Sequence, residues 1–89
     1  MVMKFAYTIV YVDDVAESVS FYEKAFGLER RSDDEPGDYA EMETGETTLA
    51  FASNRLAETN LPDGFVPNSL ANSPAGVELA FVDADVERA

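Results

Sequence analysis

Apolar and polar positions near the amino terminus predict a strand followed by a helix. Residues 4–12 (KFAYTIVYV) are rich in β-branched and aromatic side chains on both faces, as expected for a strand that is covered on both sides. Asp14 and Glu17 have the spacing of a helix capping box. Over residues 15–26 apolar side chains recur with helical period, and Gly27 supplies a left-handed stop. We therefore expect an amphipathic helix packed on the first strand.

Shorter segments after this helix predict three further strands joined by turns. Residues 28–32 read as the second strand, and residues 33–37 contain a Pro-Gly pair that suits a type II turn. Residues 38–43 alternate in polarity, and residues 47–52 follow them closely after a Thr-Gly-Glu turn. We interpret these last two segments as a hairpin.

The remaining chain predicts a crossover and the start of a second unit. The crossover is rich in Pro, Gly, Asn and Ser, apart from a short turn of helix near residues 55–58, and it either covers a site or forms a mobile linker. Residues 77–82 (VELAFV) predict a fifth strand, and residues 83–87 resemble a helix start, so the first strand-to-helix junction is repeated. We expect one domain, divided into a first unit at 1–53, a crossover at 54–76 and the start of a second unit at 77–89.

Composition excludes several kinds of chemistry and partner. The formal charge is −12 over 89 residues, which disfavours nucleic acids and anionic membrane surfaces. This charge either keeps the chain soluble or favours cations in a pocket. The sequence contains no histidine and no cysteine, so the usual general base, thiolate nucleophile and commonest transition-metal ligands are missing. The pattern of apolar and basic residues predicts neither a membrane-spanning segment nor a leader peptide, so we expect a cytoplasmic protein.

The segment from residue 10 to residue 28 carries a family pattern of a strand, then Asp, Ser, Phe-Tyr and Gly. The matching residues are Asp14, Ser18, Phe21, Tyr22 and Gly27, while Phe26 replaces the usual Leu. In this respect the chain resembles the glyoxalase/bleomycin-resistance/dioxygenase family, the vicinal-oxygen-chelate superfamily. The resemblance covers nearly the whole chain and implies an α+β fold. It implies a βαβββ unit whose curled sheet encloses a cavity, followed by the first strand and helix start of a second, incomplete unit.

The resemblance also implies inward-facing metal ligands on the first and fourth strands of each unit. Tyr7 stands where the family pattern has a first-strand His, and a phenol with a pKa near 10 is a poor ligand. Ala50 and Ala52 are expected to face the cavity where metal-dependent relatives commonly have a Glu. Glu78, on the predicted fifth strand, is the surviving candidate metal ligand. One carboxylate cannot complete a catalytic metal site by itself.

Strand alternation extends these positions to a set of candidate ligand-binding residues. The set comprises Tyr7, Ile9, Tyr11, Tyr39, Ala50, Ala52, Glu78 and Ala80. The tyrosines are either plain core aromatics or the stacking walls of a pocket. Glu78 is either a structural carboxylate or an anchor for a cationic or hydroxylated ligand. Glu41 and Glu43 are expected to be solvated residues of the hairpin.

We therefore expect metal-independent binding of a small aromatic or cationic molecule in a sheet-lined cavity, with no cofactor and no catalytic residue assigned. The alternative is a metal-dependent, glyoxalase-like lyase or dioxygenase that uses Ni, Zn, Mn or Fe, with ligands completed by a partner chain or a missing half. Whether the chain is an enzyme stays open. A third reading is a degenerate copy with an assembly role only. Because one face of the sheet is expected to be uncovered, we predict a homodimer or a strand-swapped assembly.

Overall fold

The computed structural model of the chain describes residues 2–35 and 37–82 and contains one mixed sheet with two helices. The elements are β1 (Tyr7–Val12), α1 (Val15–Phe26), β2 (Glu29–Glu35), β3 (Tyr39–Glu43), β4 (Thr48–Ser53) and α2 (Asn54–Asn60). The strand order is β1-β4-β3-β2, in which β1 and β4 are parallel and the other pairs are antiparallel. The predicted βαβββ unit is therefore confirmed, including the β3–β4 hairpin.

Both ends of α1 are fixed by the residues that the sequence indicated. The Asp14 carboxylate accepts a hydrogen bond of 3.0 Å from the backbone N–H of Glu17, which satisfies one of the free donors of the first turn. At the other end Gly27 has φ = 69°, and its N–H donates to the carbonyl of Glu23. A left-handed residue here ends the helix and turns the chain towards β2.

The hydrophobic core lies between α1 and one face of the sheet. Its buried residues are Val15, Val19, Ala40, Met42, Leu49 and Phe51, with Val10, Val12, Tyr22 and Leu28 packed around them. Alternation along the strands places every second residue of β1, β3 and β4 on this face. Phe51 and Met42 are the largest fully buried side chains. Burying a side chain of this size contributes about 1.5–3 kcal/mol to folding.

The second helix is joined to the turn before β3 by a polar cluster. Ser53 caps α2, since its hydroxyl accepts from the N–H of Leu56 at 3.1 Å. The same hydroxyl donates to Asp38 Oδ1 at 2.7 Å, and the other oxygen of that carboxylate is paired with Arg55. Hydrogen bonds lower the pKa of Asp38 below its ordinary value of 3.8. The bond from the Ser53 hydroxyl has the larger effect, and the bond from the Arg55 guanidinium has the smaller one. The helix is longer than the short turn expected near residues 55–58.

The predicted fifth strand at residues 77–82 is wrong. Within the described residues this segment joins no strand, although its composition suits a pleated surface. A strand needs a neighbour for its backbone hydrogen bonds, and here the segment packs through an aromatic side chain instead. The ring of Phe81 lies 4.9 Å from that of Phe26 and 6.1 Å from that of Tyr22. The helix start predicted at residues 83–87 lies outside the described residues.

Candidate functional site

The sheet face opposite α1 carries most of the candidate ligand-binding residues in ordered rows. In one row Tyr11 and Tyr39 flank Ala52, and in the next Ile9 and Glu41 flank Ala50. Tyr7 lies opposite Thr48 at the start of the sheet. We call this surface the tyrosine face, and it consists of Tyr7, Ile9, Tyr11, Tyr39, Glu41, Glu43, Thr48, Ala50 and Ala52.

The accessible apolar part of the tyrosine face is centred on β1. Tyr7 and Ile9 are 49% and 46% exposed, whereas Ala50 and Ala52 are fully buried. The alanines therefore form a floor that a ligand reaches only if larger neighbours move. The ring of Tyr11 lies 6.0 Å from that of Phe65, so the segment after α2 partly covers that end of the face.

The polar part of the tyrosine face is organised around Arg31. Its Nε and Nη2 donate to the two carboxylate oxygens of Glu43 at 2.8 and 3.1 Å, and its Nη1 donates to the Thr48 hydroxyl at 2.8 Å. Glu41 lies 3.7 Å from Nη1 and accepts a hydrogen bond of 2.8 Å from the Tyr39 hydroxyl. A bidentate arginine–carboxylate pair has a fixed geometry, so Arg31 is held over Thr48.

A β-bulge in β2 places Arg31 in this position. Arg30 pairs with Met42 and Ser32 pairs with Glu41, so β2 has one more residue than β3 at this point. The extra residue is Arg31. Bulges of this kind redirect a side chain relative to the regular alternation, and here the guanidinium reaches the carboxylates of β3.

The charges of this cluster do not cancel. One guanidinium faces two carboxylates, those of Glu41 and Glu43. The hydrogen bond from Arg31 lowers the pKa of Glu43 below its ordinary value of 4.5, and the same bond raises the pKa of Arg31. Arg31 and Glu43 are therefore both charged at neutral pH, and the second carboxylate beside them makes the cluster more favourable to a cation than to an anion.

Two of the predicted residues are not on the tyrosine face. Glu78 and Ala80 line a groove of about 290 Å³ together with Thr8 and Leu49. Leu49 belongs to the core under α1, so this groove lies towards the other side of the sheet. The fifth strand that was expected to carry Glu78 and Ala80 does not form, so these two residues lie apart from the tyrosine face.

Sequence reasoning missed Arg31 and misjudged Glu41. Glu41 was expected to be solvated, yet its side chain is 13% exposed and is hydrogen-bonded to Tyr39. The alternation of β3 was an available signal, because it places Tyr39, Glu41 and Glu43 on the same face. The position of Arg31 depends on the bulge, for which the sequence carries no recognisable signal.

The fold agrees with that of a known family. The family model of the Glyoxalase/Bleomycin resistance protein/Dioxygenase superfamily matches residues 4–89 of the sequence. The chain therefore belongs to this superfamily. No curated protein matches the chain. Among the described residues, neither helix is long and apolar enough to cross a membrane.

Solved structures with a similar fold include three bacterial proteins. A glyoxalase/bleomycin resistance protein/dioxygenase from Nocardioides has 26% identity and a TM-score of 0.64 over 98% of this chain and 56% of that one. A family enzyme from Burkholderia phytofirmans PsJN has 15% identity and a TM-score of 0.62 over 86% and 56%. A possible glyoxalase from Bacillus cereus has 24% identity and a TM-score of 0.51 over 58% and 46%. The chain thus spans about half the length of these structures.

The residues of the tyrosine face do not fit the divalent metal that the family resemblance implies. Among the residues that the structure describes, no group of three or more His, Cys, Asp and Glu side chains is placed to hold a metal ion. The carboxylates of Glu41 and Glu43 are already engaged by Tyr39 and Arg31. A divalent metal ion needs several ligand atoms that are free to coordinate it, and these two engaged carboxylates do not supply such a set.

Proposed function

We propose that the tyrosine face binds a small molecule that is aromatic, cationic or both, without a metal ion. The observation that carries this proposal is the position of half-exposed Tyr7 and Ile9 beside the Arg31 cluster. An apolar ring can lie on Tyr7 and Ile9, while a positive group lies near the exposed carboxylate of Glu43. A cation over an aromatic ring gains about 0.5–1 kcal/mol at an exposed site.

The dimensions of the face suit an aromatic ring. Neighbouring strands lie about 4.8 Å apart, so the side chains of β1 and β3 on either side of β4 are separated by about 9.6 Å at the backbone. Aromatic rings prefer centroid distances of about 4.5–7 Å, so a ring contacted from both sides needs walls about 9–14 Å apart. The backbones of Tyr11 and Tyr39 lie on either side of Ala52, which general strand spacing puts within this range, and outward movement of their side chains would expose the alanine floor.

Benzyltrimethylammonium combines both features and is a suitable probe. We expect saturable binding by isothermal titration calorimetry, and weaker binding of phenylacetate, which has the opposite charge. Glu43→Gln should weaken binding of the cation by about 2- to 5-fold, as expected for one exposed ionic contact. Glu46→Gln, in the β3–β4 turn, is the matched control and should bind like the wild type. Equal affinity for both probes, or an equal effect of both substitutions, would contradict the proposal.

Metal retention tests the metal-dependent alternative. The protein is equilibrated with Ni²⁺, Zn²⁺, Mn²⁺ or Fe²⁺, dialysed against metal-free buffer and assayed by mass spectrometry. We expect no stoichiometric retention by the wild type or by Glu78→Ala. Retention of one ion per chain that is lost in Glu78→Ala would instead support a lyase or dioxygenase that uses this carboxylate.

A further inference from the structure

The outer edge of β1 has backbone groups that face away from the sheet. The N–H of Thr48 donates to the carbonyl of Ala6, so in this parallel ladder the even-numbered residues of β1 bond to β4. The N–H and C=O groups of Ile9 and Tyr11 therefore point away from β4. The side-chain amide of Asn68 donates to the Tyr11 carbonyl at 3.1 Å. Among the described residues, none donates to the carbonyl of Ile9.

A groove of about 680 Å³ runs along this edge. One of its walls is β1, and the other, the crossover wall, is formed by residues between Asn68 and Leu79. Both walls belong to the same chain, so the groove is a preformed cleft rather than an open edge. Its volume lies within the range of about 300–1,000 Å³ that is typical of sites for small molecules.

The crossover wall is held beside β1 by a ring contact and two side-chain amides. The ring of Phe65 lies 6.0 Å from that of Tyr11, and the amide of Asn68 bonds to the carbonyl of the same tyrosine. The side-chain amide of Asn72 donates to the carbonyl of Pro67 at 2.9 Å, which fixes the first turn of the wall. These contacts position the wall and leave the groove open.

The lining of the groove is uncharged. None of its described residues is Asp, Glu, Lys or Arg, although such residues make up 27% of the chain and its formal charge is −12. Most of the lining is apolar and includes Val10, Leu70, Pro74, Val77 and Leu79. A charged ligand would lose part of its hydration here without meeting an opposite charge, which is unfavourable. The groove therefore favours an uncharged ligand with an apolar part.

We propose that the groove binds a neutral small molecule that has an apolar chain and an amide N–H. The amide N–H donates to the carbonyl of Ile9, as the amide of Asn68 does to the carbonyl of Tyr11. The two carbonyls point in the same direction and lie about 6.6 Å apart along the strand. The apolar chain of the ligand lies against Val77 and Leu79. The groove and the tyrosine face meet at Ile9, but binding in one does not require binding in the other.

N-Methylhexanamide is a suitable probe because it has an aliphatic chain, one amide N–H and no charge. We expect saturable binding in a titration followed by two-dimensional NMR. N,N-Dimethylhexanamide lacks the N–H and should bind about 2- to 12-fold more weakly, as expected for the loss of one hydrogen bond. Hexylammonium should also bind more weakly, although the acidic chain attracts it. No saturable binding, equal affinity for the two amides, or tighter binding of hexylammonium would overturn the proposal.

Val77→Asp tests the uncharged lining, and Val66→Asp is its matched control. The two valines are 75% and 73% exposed, so neither substitution disturbs the core. Val77 lines the groove, whereas Val66 lies outside its lining. Val77→Asp should weaken the binding of N-methylhexanamide by about 5-fold, because the new carboxylate loses hydration when the probe binds. Val66→Asp should bind like the wild type, and an equal effect of both substitutions would contradict the proposed position.

Intermolecular nuclear Overhauser contacts locate the probe directly. We expect contacts between its aliphatic chain and the methyl groups of Val77 and Leu79, and contacts only with α1 would exclude the groove. Glu43→Gln should not change the binding of N-methylhexanamide, and Val77→Asp should not change that of benzyltrimethylammonium. Binding of benzyltrimethylammonium without N-methylhexanamide contradicts the groove site alone, whereas the reverse contradicts the proposed function alone.

Discussion

Replacing Phe51 by alanine should remove a large part of the stability of this domain. Phe51 is 1% exposed at the centre of the sheet, and its ring lies 5.0 Å from that of Tyr22. Phe→Ala substitutions at such sites cost about 3–5 kcal/mol, because the lost transfer free energy is joined by the cost of the cavity. A chain of 89 residues has a total unfolding free energy of about 4–13 kcal/mol. We therefore expect Phe51→Ala to be severely destabilised or unfolded.

Urea unfolding followed by far-UV circular dichroism measures this loss, and Phe5→Ala is the matched control. Phe5 is 72% exposed, so its removal should change the free energy of unfolding by less than about 0.5 kcal/mol. Phe51→Leu retains most of the apolar volume and should lie between the two. Equal midpoints for Phe51→Ala and Phe5→Ala would refute the reasoning, because the core would then not lie between α1 and this face of the sheet.

Three further predictions concern single interactions. Asp14→Ala should lower the unfolding free energy by about 1 kcal/mol through loss of the helix cap, whereas Asp14→Asn should retain it; urea midpoints distinguish them. Gly27→Ala should cost about 1–2 kcal/mol at its positive φ, while Gly76→Ala should be nearly neutral. Because the pKa of Glu43 is lowered, its contribution to stability is present above its ordinary value of 4.5 and is lost as pH falls through the folded-state pKa. Stability measured from pH 6 downwards should therefore fall less steeply for Glu43→Gln, and an identical profile would contradict this.

The sequence predicted the parts of the fold that local signals determine. Three signals together defined α1: the capping residue Asp14, the helical period of the apolar residues and the stop at Gly27. Each of them depends only on residues a few positions away. Alternation on β1 and β4 separated the core face from the tyrosine face for the same reason. The family pattern after β1 then identified the superfamily, which the match over residues 4–89 confirms.

The features that the sequence analysis predicted wrongly or missed depend on distant parts of the chain. Residues 77–82 have the composition of a strand, but a strand forms only where a neighbouring edge pairs with it, and here Phe81 packs on α1 instead. The expected position of Glu78 was wrong because it depended on that strand. Arg31 was missed because its direction is set by the bulge between β2 and β3, a matter of register rather than of composition.

The proposed function requires that one face of the sheet is closed by α1 and that the opposite face binds the ligand. Titration of isotope-labelled protein with benzyltrimethylammonium, followed by two-dimensional NMR, tests it directly. We predict that amide and methyl shifts concentrate at Tyr7, Ile9, Glu41 and Glu43, with little change along α1. Shifts confined to α1, or to the groove that contains Glu78, would contradict the account.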